Sequence, residues 1–308
     1  MKRKIRKRSV YMKNKRKLTP WLYSMPALIL IGMVIVFPII YTGYISLTNM
    51  NLFHWSNYEF IGLSNYSRAL LKADSGFLGA LFTTLLWTTL NMVIQVVVAY
   101  FIALGFQRED LKGKRVYKTL LMFPWAMPAY VSILLWRVGI YNTEFGLLNK
   151  ILVALGFGKV NSLSNNVPAF LSCMTLNLWM ALPFMIMMID GALSSIDRSY
   201  YESAELDGAG FWSKNIHITV LAMKGIIAPA VIMTTFTTFK QFDIVYLLTM
   251  QKGAYSGATL QTVITYAQQN AFVSNNYGLS SAVSIIIFFL IMVFSLFTNR
   301  GLKEENYD

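Results

Sequence analysis

The stretch WLYSMPALILIGMVIVFPIIYTGYISL, which runs from Trp21 to Leu47, contains no charged residue. A helix needs about 20 mainly apolar residues to cross the hydrocarbon core of a bilayer, so this stretch predicts a membrane-spanning helix. A secretory signal peptide would have an apolar core of only about 7–15 residues, closed by a cleavage site of small residues. Neither feature is present, and we therefore expect the stretch to be retained as a first span.

The composition of the whole chain supports the same interpretation. Of its 308 residues, 56% are hydrophobic and 13% are charged, whereas a soluble domain has about 25% charged residues. Because so few charges cannot cover a water-facing surface, much of the surface must face lipid. We predict an all-α integral membrane fold with six transmembrane helices, the third kinked by Pro124 and Pro128. The predicted spans are 22–48, 78–105, 117–139, 167–193, 220–250 and 278–299.

Basic residues are distributed unevenly among the segments that join these spans. Ten of the 27 Lys and Arg residues lie within the first 17 residues, and residues 106–116 contain four more. In contrast, residues 49–77 contain two and residues 251–277 contain one. Because short basic segments stay in the cytoplasm, we expect both termini to be cytoplasmic.

The same charge pattern divides the chain into a basic cytoplasmic tail, residues 1–20, and a transmembrane domain, residues 21–308. A basic block beside a span attracts anionic membrane lipid, so the formal net charge of +13 does not indicate nucleic-acid binding. The single cysteine, Cys173, excludes an intramolecular disulfide. The two histidines are far apart, so we expect no metal site.

The link between the fourth and fifth predicted spans reads SSIDRSYYESAELDGAGFWSKNIHITV, at about 194–220. Ser194 or Ser195 can cap a helix with Asp197 in its first turn. The run DGAG ends this helix because glycine permits a positive φ, and a second helix begins near Phe211. We predict a short helix-turn-helix elbow against the inner membrane face.

The segment ESAELDGAG within this elbow resembles the EAA motif of ABC importer membrane subunits, E-A-A-x-x-D-G-A. The sequence departs from that pattern at Ser203, where the family has Ala, and at Leu221, where it has Pro. The residues that match the motif or the segment after it are Glu202, Ala204, Asp207, Gly208, Ala209, Gly210, Ile218 and Thr219.

Four weaker resemblances extend the likeness over roughly residues 20–300 and favour the maltose-type sugar permease family. They are FIGLSNYSRAL (60–70), FPWAMPAYVSILLW (123–136), FGLLN (145–149) and FDIVYLLT (242–249). After the last of these, the family has Gly-Gly-Pro and this chain has Met-Gln-Lys.

The resemblance implies a non-catalytic permease subunit of an ATP-driven, binding-protein-dependent importer for a sugar or oligosaccharide in a bacterial or archaeal cytoplasmic membrane. The implied partners are a second homologous six-span permease, two ATPase subunits and an extracytoplasmic solute-binding protein. ATP and Mg would be bound by the ATPases, and this chain has no G-x-x-x-x-G-K-[ST] loop for nucleotide phosphates. The ATPase-coupling residues would be Glu202, Ser203, Ala204, Asp207, Gly208, Ala209 and Gly210.

Polar residues inside two of the spans suggest a substrate path. The resemblance would place that path at Asn177, Met180, Ala181 and Phe184 in the fourth span, and at Thr234, Thr238 and Gln241 in the fifth. Lys240, in the fifth span, is a further candidate for the path. Thr234, Thr238 and Gln241 are spaced i, i+4, i+7 and should share one helix face. The alternative is helix–helix packing, in which threonine is common.

Lys240 raises a separate question about the substrate. It can pair with Asp243 on one helix face, or it can contact a charged substrate such as a uronate oligosaccharide or a glycerol phosphate. A secondary transporter is a further alternative, but neither half of the chain mirrors the other as an inverted repeat would require.

Overall fold

The computed structural model describes residues 20–21, 23–72, 76–249 and 260–304. All of the predicted basic tail except Pro20 lies outside these residues, as does the Met-Gln-Lys segment after the fifth span. Within the described part of the chain the regular elements are helices, and the β-type pairing is an isolated bridge between Thr48 and Phe60. The predicted all-α fold is confirmed at this level.

The structure describes fourteen α-helical segments, numbered here in chain order. They are α1 (Tyr23–Ser46), α2 (Ser64–Leu71), α3 (Phe77–Gln107), α4 (Lys114–Leu121), α5 (Phe123–Ala126), α6 (Ala129–Leu135), α7 (Leu147–Ala154), α8 (Asn166–Ser194), α9 (Arg198–Leu206), α10 (Phe211–Lys214), α11 (Leu221–Phe239), α12 (Asp243–Thr249), α13 (Val263–Phe272) and α14 (Tyr277–Glu304). A π-helical segment, Asn215–Val220, joins α10 to α11 without a break in helical backbone.

Five described helical segments are long and apolar enough to cross a membrane: Tyr23–Ser46, Phe77–Gln107, Asn166–Ser194, Phe211–Thr249 and Tyr277–Leu296. A sixth span is counted when two helices bent by 91° form one crossing, Lys114–Ala126 and Ala129–Ile140. The bend lies where the third predicted span was expected to kink.

Of the two prolines in this segment, Pro128 explains the bend. Pro124 lies in the first turn of α5, where its missing N–H costs nothing. Pro128 directly precedes α6 and forces the residue before it, Met127, out of helical geometry (ψ 141°). The chain therefore bends sharply instead of kinking slightly.

The described residues form two compact units, and the first contains residues up to Lys72 together with Asn270–Ile286. Its centre is the turn after α1, where the Asn65 side-chain amide donates to the carbonyl oxygens of Ser46 (2.9 Å) and Thr48 (2.8 Å). Gly278 lies so close to this turn that a Cβ atom there would be 2.3 Å from the Thr48 oxygen.

The second unit contains Ala73–Gln269 and the chain from Ile287 onward. Its core consists of two apolar clusters along the packed helices α3 and α8. One cluster is centred on Trp87, Cys173 and Leu176, and the other on Ala99 and Ile189. Small residues such as Ala99 let helix backbones approach closely. The residues between the two clusters on α3, α8 and α11 include most of the polar ones discussed below.

Candidate substrate cavity and elbow

A cavity of about 410 Å³ lies in the second unit among α3, α5, α6, α8, α11 and α12. Seven of the eight residues predicted for the substrate path line it, although their spacing in the sequence is wide. They are Asn177, Met180, Ala181, Phe184, Thr234, Thr238 and Gln241. The remaining residue, Lys240, does not line the cavity.

The helix in the fifth predicted span is interrupted beside this cavity. Regular α11 ends at Phe239 and α12 begins at Asp243. The prediction of one helix face for Thr234, Thr238 and Gln241 is therefore wrong for Gln241, which lies beyond the end of α11. Its backbone N–H donates to the Thr238 carbonyl oxygen (3.2 Å), and this turn keeps it at the cavity.

The predicted pairing of Lys240 with Asp243 is also wrong. Both side chains are exposed, and no ion pair joins them in the described part of the chain. The reason is the break between the two helices, which removes the spacing that an i, i+3 pair requires. Asp243 instead stands in the first turn of α12, where the helix dipole stabilises a carboxylate, and it lines the cavity.

Gln95 is the main cavity residue that sequence reasoning missed. Its side chain is fully buried, and its Nε2 donates to the Ala181 carbonyl oxygen (2.9 Å). That bond fixes the orientation of the amide, because a carbonyl oxygen can only accept. The Gln95 Oε1 atom accepts no hydrogen bond from any described residue. The signal in the sequence was Asn91 and Gln95, two amides one helical turn apart in an otherwise apolar helix.

A hydrogen-bond network connects the three helices around the cavity. The Asn177 side-chain amide donates to Asn91 Oδ1 (2.8 Å), and Asn91 in turn donates to the Trp87 carbonyl oxygen (2.8 Å). The Trp87 indole N–H donates to the Thr238 carbonyl oxygen (3.1 Å). Because these groups are buried, each bond is costly to break, and the network holds α3, α8 and α11 in register.

One wall of the cavity is aromatic. Trp125 on α5 stacks on Phe184 with ring centroids 6.3 Å apart and ring planes 17° apart. Sequence reasoning also missed Trp125, because the proline-flanked segment around it has no clear periodicity. Amides, hydroxyls and aromatic faces around one space are the groups that recognise hydroxyls and C–H surfaces of a ligand.

The predicted elbow is present as α9, a turn and α10. The carboxylate of Asp197 caps α9 by accepting from the Ser199 backbone N–H (2.9 Å), which lowers the pKa of Asp197. The prediction that Ser194 or Ser195 caps this helix is wrong, because α8 continues to Ser194. Both serine hydroxyls donate back to carbonyl oxygens of α8.

The turn after α9 has the geometry that glycine permits. Gly208 has φ of +77°, and the Ala209 N–H donates to the Ala204 carbonyl oxygen (2.8 Å). Across the turn, Lys214 donates to Glu205 (2.7 Å), and this contact lowers the pKa of the glutamate. These contacts hold α9 and α10 against each other.

Two further contacts anchor the elbow to the rest of the second unit. The Tyr100 hydroxyl on α3 donates to Asn215 Oδ1 (2.6 Å), and Arg198 on α9 contacts Glu109 (2.9 Å) after α3. Most of the predicted coupling residues are exposed, with Ala204 and Ala209 half-buried. The apolar residues beside them are exposed too: Tyr200, Leu206, Phe211 and Trp212.

An ion pair that the sequence did not indicate lies at the end of α8. Asp190 is buried and accepts from Lys118 on α4 (2.5 Å) and from the Gln107 amide (3.0 Å). The lysine also stands over the Phe106 ring, 5.5 Å from its centroid.

No group of three potential metal-ligating His, Cys, Asp or Glu residues occurs among the described residues.

Comparison with known proteins identifies the family. Residues 95–300 match the family described as "Binding-protein-dependent transport system inner membrane component". The chain belongs to this family. It is a multi-pass membrane permease subunit of a binding-protein-dependent importer, with a transport role and not a catalytic one, which confirms the resemblance in the sequence.

Curated relatives of this permease match along most of its length. The trehalose/maltose transport system permease protein MalF of Thermococcus litoralis is 31% identical over 90% of each chain. The galactooligosaccharides transport system permease protein GanP of Bacillus subtilis is 28% identical over 92% of this chain and 70% of its own. The probable ABC transporter permease protein YurN of Bacillus subtilis is 30% identical over 95% and 98%.

Solved structures agree on the fold. A chain of a bacterial ABC transporter involved in the import of alginate, an acidic polysaccharide, matches with a TM-score of 0.78 and 20% identity. The match covers 96% of this permease and 98% of that chain. At this level of identity the likeness concerns the fold alone.

Proposed function

We propose that this permease carries a neutral sugar or oligosaccharide through the cavity between α3, α8 and α11. The observation that carries the proposal is the convergence of amide, hydroxyl and aromatic side chains from separate segments on one space of about 410 Å³. The names of relatives, which include trehalose, maltose and galactooligosaccharides, support a sugar as the substrate.

The charges near the cavity favour a neutral substrate over the uronate or glycerol phosphate alternative. The carboxylate of Asp243 lines the cavity, and Lys240 does not. A like charge placed against a ligand is unfavourable, so an anionic substrate would be repelled where Lys240 had been expected to attract it.

The permease would work within a larger assembly in a bacterial or archaeal cytoplasmic membrane. It would have six spans, counting the bent pair as one, with both termini and the elbow in the cytoplasm. Its partners would be a second homologous permease, two ATPases that bind ATP and Mg, and an extracytoplasmic binding protein that delivers the sugar. Closure of the ATPases would shift the permease between outward-open and inward-open states.

The elbow would be the contact with the ATPase. Its exposed apolar residues, Leu206, Phe211 and Trp212, project beside the acidic residues Glu202 and Asp207. An exposed apolar group with charged neighbours is typical of a docking surface. The glycine turn and the Lys214–Glu205 contact would give this surface the rigidity needed to transmit movement.

Uptake into vesicles that contain the assembled importer tests the proposal. Gln241→Leu and Thr238→Val should each weaken uptake of labelled maltose, trehalose or galactooligosaccharide roughly tenfold or more, because a buried polar group loses its partner. Thr235→Val is the matched control. The Thr235 hydroxyl donates to the Val231 carbonyl oxygen (2.7 Å) of its own helix, and the residue does not line the cavity. Equal uptake by all variants, or uptake of uronate oligosaccharides alone, would contradict the proposal.

A further inference from the structure

The short helix α4 has two different faces. Val116 and Leu120 are exposed and, with Phe123 just beyond the helix, form an apolar stripe at i, i+4, i+7 spacing. Lys114, Arg115 and Lys118 occupy the other side. A helix with an apolar stripe and a cationic face is typical of a segment that lies in the membrane interface.

The cationic face of α4 borders a second cavity, of about 420 Å³, between α4 and α8. Basic residues line the cavity near the start of α4, and Met122 and Met187 line it further along. At 1.5 Å per residue, Met122 is about 12 Å along the helix from Lys114. The cavity thus has a cationic end and, about 12 Å further along the helix, an apolar wall.

The charges on this face are not equally available. Lys118 is neutralised by the buried carboxylate of Asp190. Lys114 and Arg115 form no ion pair with any described carboxylate, and Asp110, the acidic residue that Lys114 influences at longer range, is paired with Arg108. Two cations therefore face the cavity without a counter-charge in contact.

We propose that this cavity binds an anionic phospholipid. The phosphate of the headgroup would contact Lys114 and Arg115, and the upper acyl chain would lie along Met122 and Met187. Basic pockets between spanning helices bind acidic headgroups, and a free phosphate would make no use of the methionine wall. The predicted topology places the site in the cytoplasmic leaflet.

Native mass spectrometry of the full-length permease in detergent tests this site. Phosphatidylglycerol should bind more tightly than phosphatidylcholine with the same acyl chains. Replacing both cations, Lys114→Gln with Arg115→Gln, should weaken phosphatidylglycerol binding about thirtyfold, or about fivefold for each charge. The matched control is Lys112→Gln with Arg108→Gln, which removes the same formal charge from the segment just before α4, outside the cavity, and should leave binding nearly unchanged.

Further arms of the experiment separate the alternatives. Met187→Gln should weaken phosphatidylglycerol binding. Added inorganic phosphate should displace the lipid neither from this variant nor from the unaltered permease. Displacement of the lipid by equimolar inorganic phosphate would overturn the proposal in favour of a free-phosphate site. Equal losses of lipid binding in the two double variants would show that binding depends only on general surface charge. Loss of the lipid when the permease assembles with the ATPase would show that this surface is a protein contact. Either result would overturn the proposal.

Discussion

At the scale of single residues, Gln95 connects packing and recognition. Its amide nitrogen donates to the carbonyl oxygen of Ala181, and its buried oxygen has no hydrogen-bond partner among the described residues, although the residue lines the cavity. A buried acceptor without a partner is costly, roughly 1–3 kcal/mol. A substrate hydroxyl that donates to this oxygen would recover that cost in the bound state.

We predict that Gln95→Leu weakens sugar uptake about ten- to hundredfold, since it removes the buried acceptor and the hydrogen bond from Gln95 to the Ala181 carbonyl. Gln95→Glu should retain more uptake, because a protonated carboxyl keeps one donor and one acceptor. Initial uptake rates at matched membrane levels of permease would measure this order. Indistinguishable rates for the two variants would show that Gln95 only packs.

Asp197 carries a prediction about pH. Its pKa in the folded state is below the ordinary value of 3.8, because the carboxylate accepts the Ser199 N–H. The cap therefore stabilises α9 above that value and is lost as the pH falls through the folded-state pKa. Hydrogen exchange at residues 199–202, corrected for intrinsic rates, should show protection that falls in acid. Asp197→Asn keeps the acceptor without titrating, so its protection should stay constant across the same range.

At the scale of elements, the long helices were predictable and their interruptions were not. Apolar length alone identified α3 and α8 to within about one or two residues of their observed ends. The break between α11 and α12 contains neither Pro nor Gly. Burial of Ile244 and Leu248 in the Trp87 cluster redirects the chain there, and such tertiary packing leaves no mark in local sequence.

The elbow gives a prediction at this scale. Leu206 is 91% exposed, so Leu206→Asp should leave folding and pairing with the second permease intact. If Leu206 docks on the ATPase, the variant should lose ATPase co-purification and transport-coupled hydrolysis. Leu155→Asp is the control, since Leu155 is also exposed (67%) but lies outside the elbow.

A backbone variant tests the same element independently. Gly208→Pro cannot adopt the observed φ of +77° and should disrupt the turn between α9 and α10. It should insert normally and fail to couple ATP hydrolysis to transport. Full transport by this variant would contradict the coupling role.

At the scale of the whole molecule, the candidate site was partly predictable. Resemblance to the family supplied the cavity residues of α8 and α11. Gln95, Trp125 and Asp243 come from three other elements, and nothing in the sequence indicates that these elements meet at one site. Only the folded chain brings them to one cavity.

Topology gives the last prediction at this scale. Cysteines introduced at Asn14 and Asn276 should react with impermeant reagents from opposite sides of the membrane, because the basic segments are expected in the cytoplasm. The native Cys173 is fully buried and should not interfere. Labelling of both positions from the same side would refute the six-span arrangement.

The helical backbone is unbroken from α10 through α11, so the elbow and the cavity lie on one continuous helical segment. From Phe211 to Thr234 the axis extends about 35 Å at 1.5 Å per residue. A tilt of about 5° at the elbow would therefore displace the cavity end by about 3 Å, an amount comparable to the length of a whole hydrogen bond. The bond from Trp87 to the Thr238 carbonyl, 3.1 Å long, would not survive such a displacement. A small rotation at the elbow would thus be enough to break the hydrogen bond that joins α3 to α11 beside the cavity.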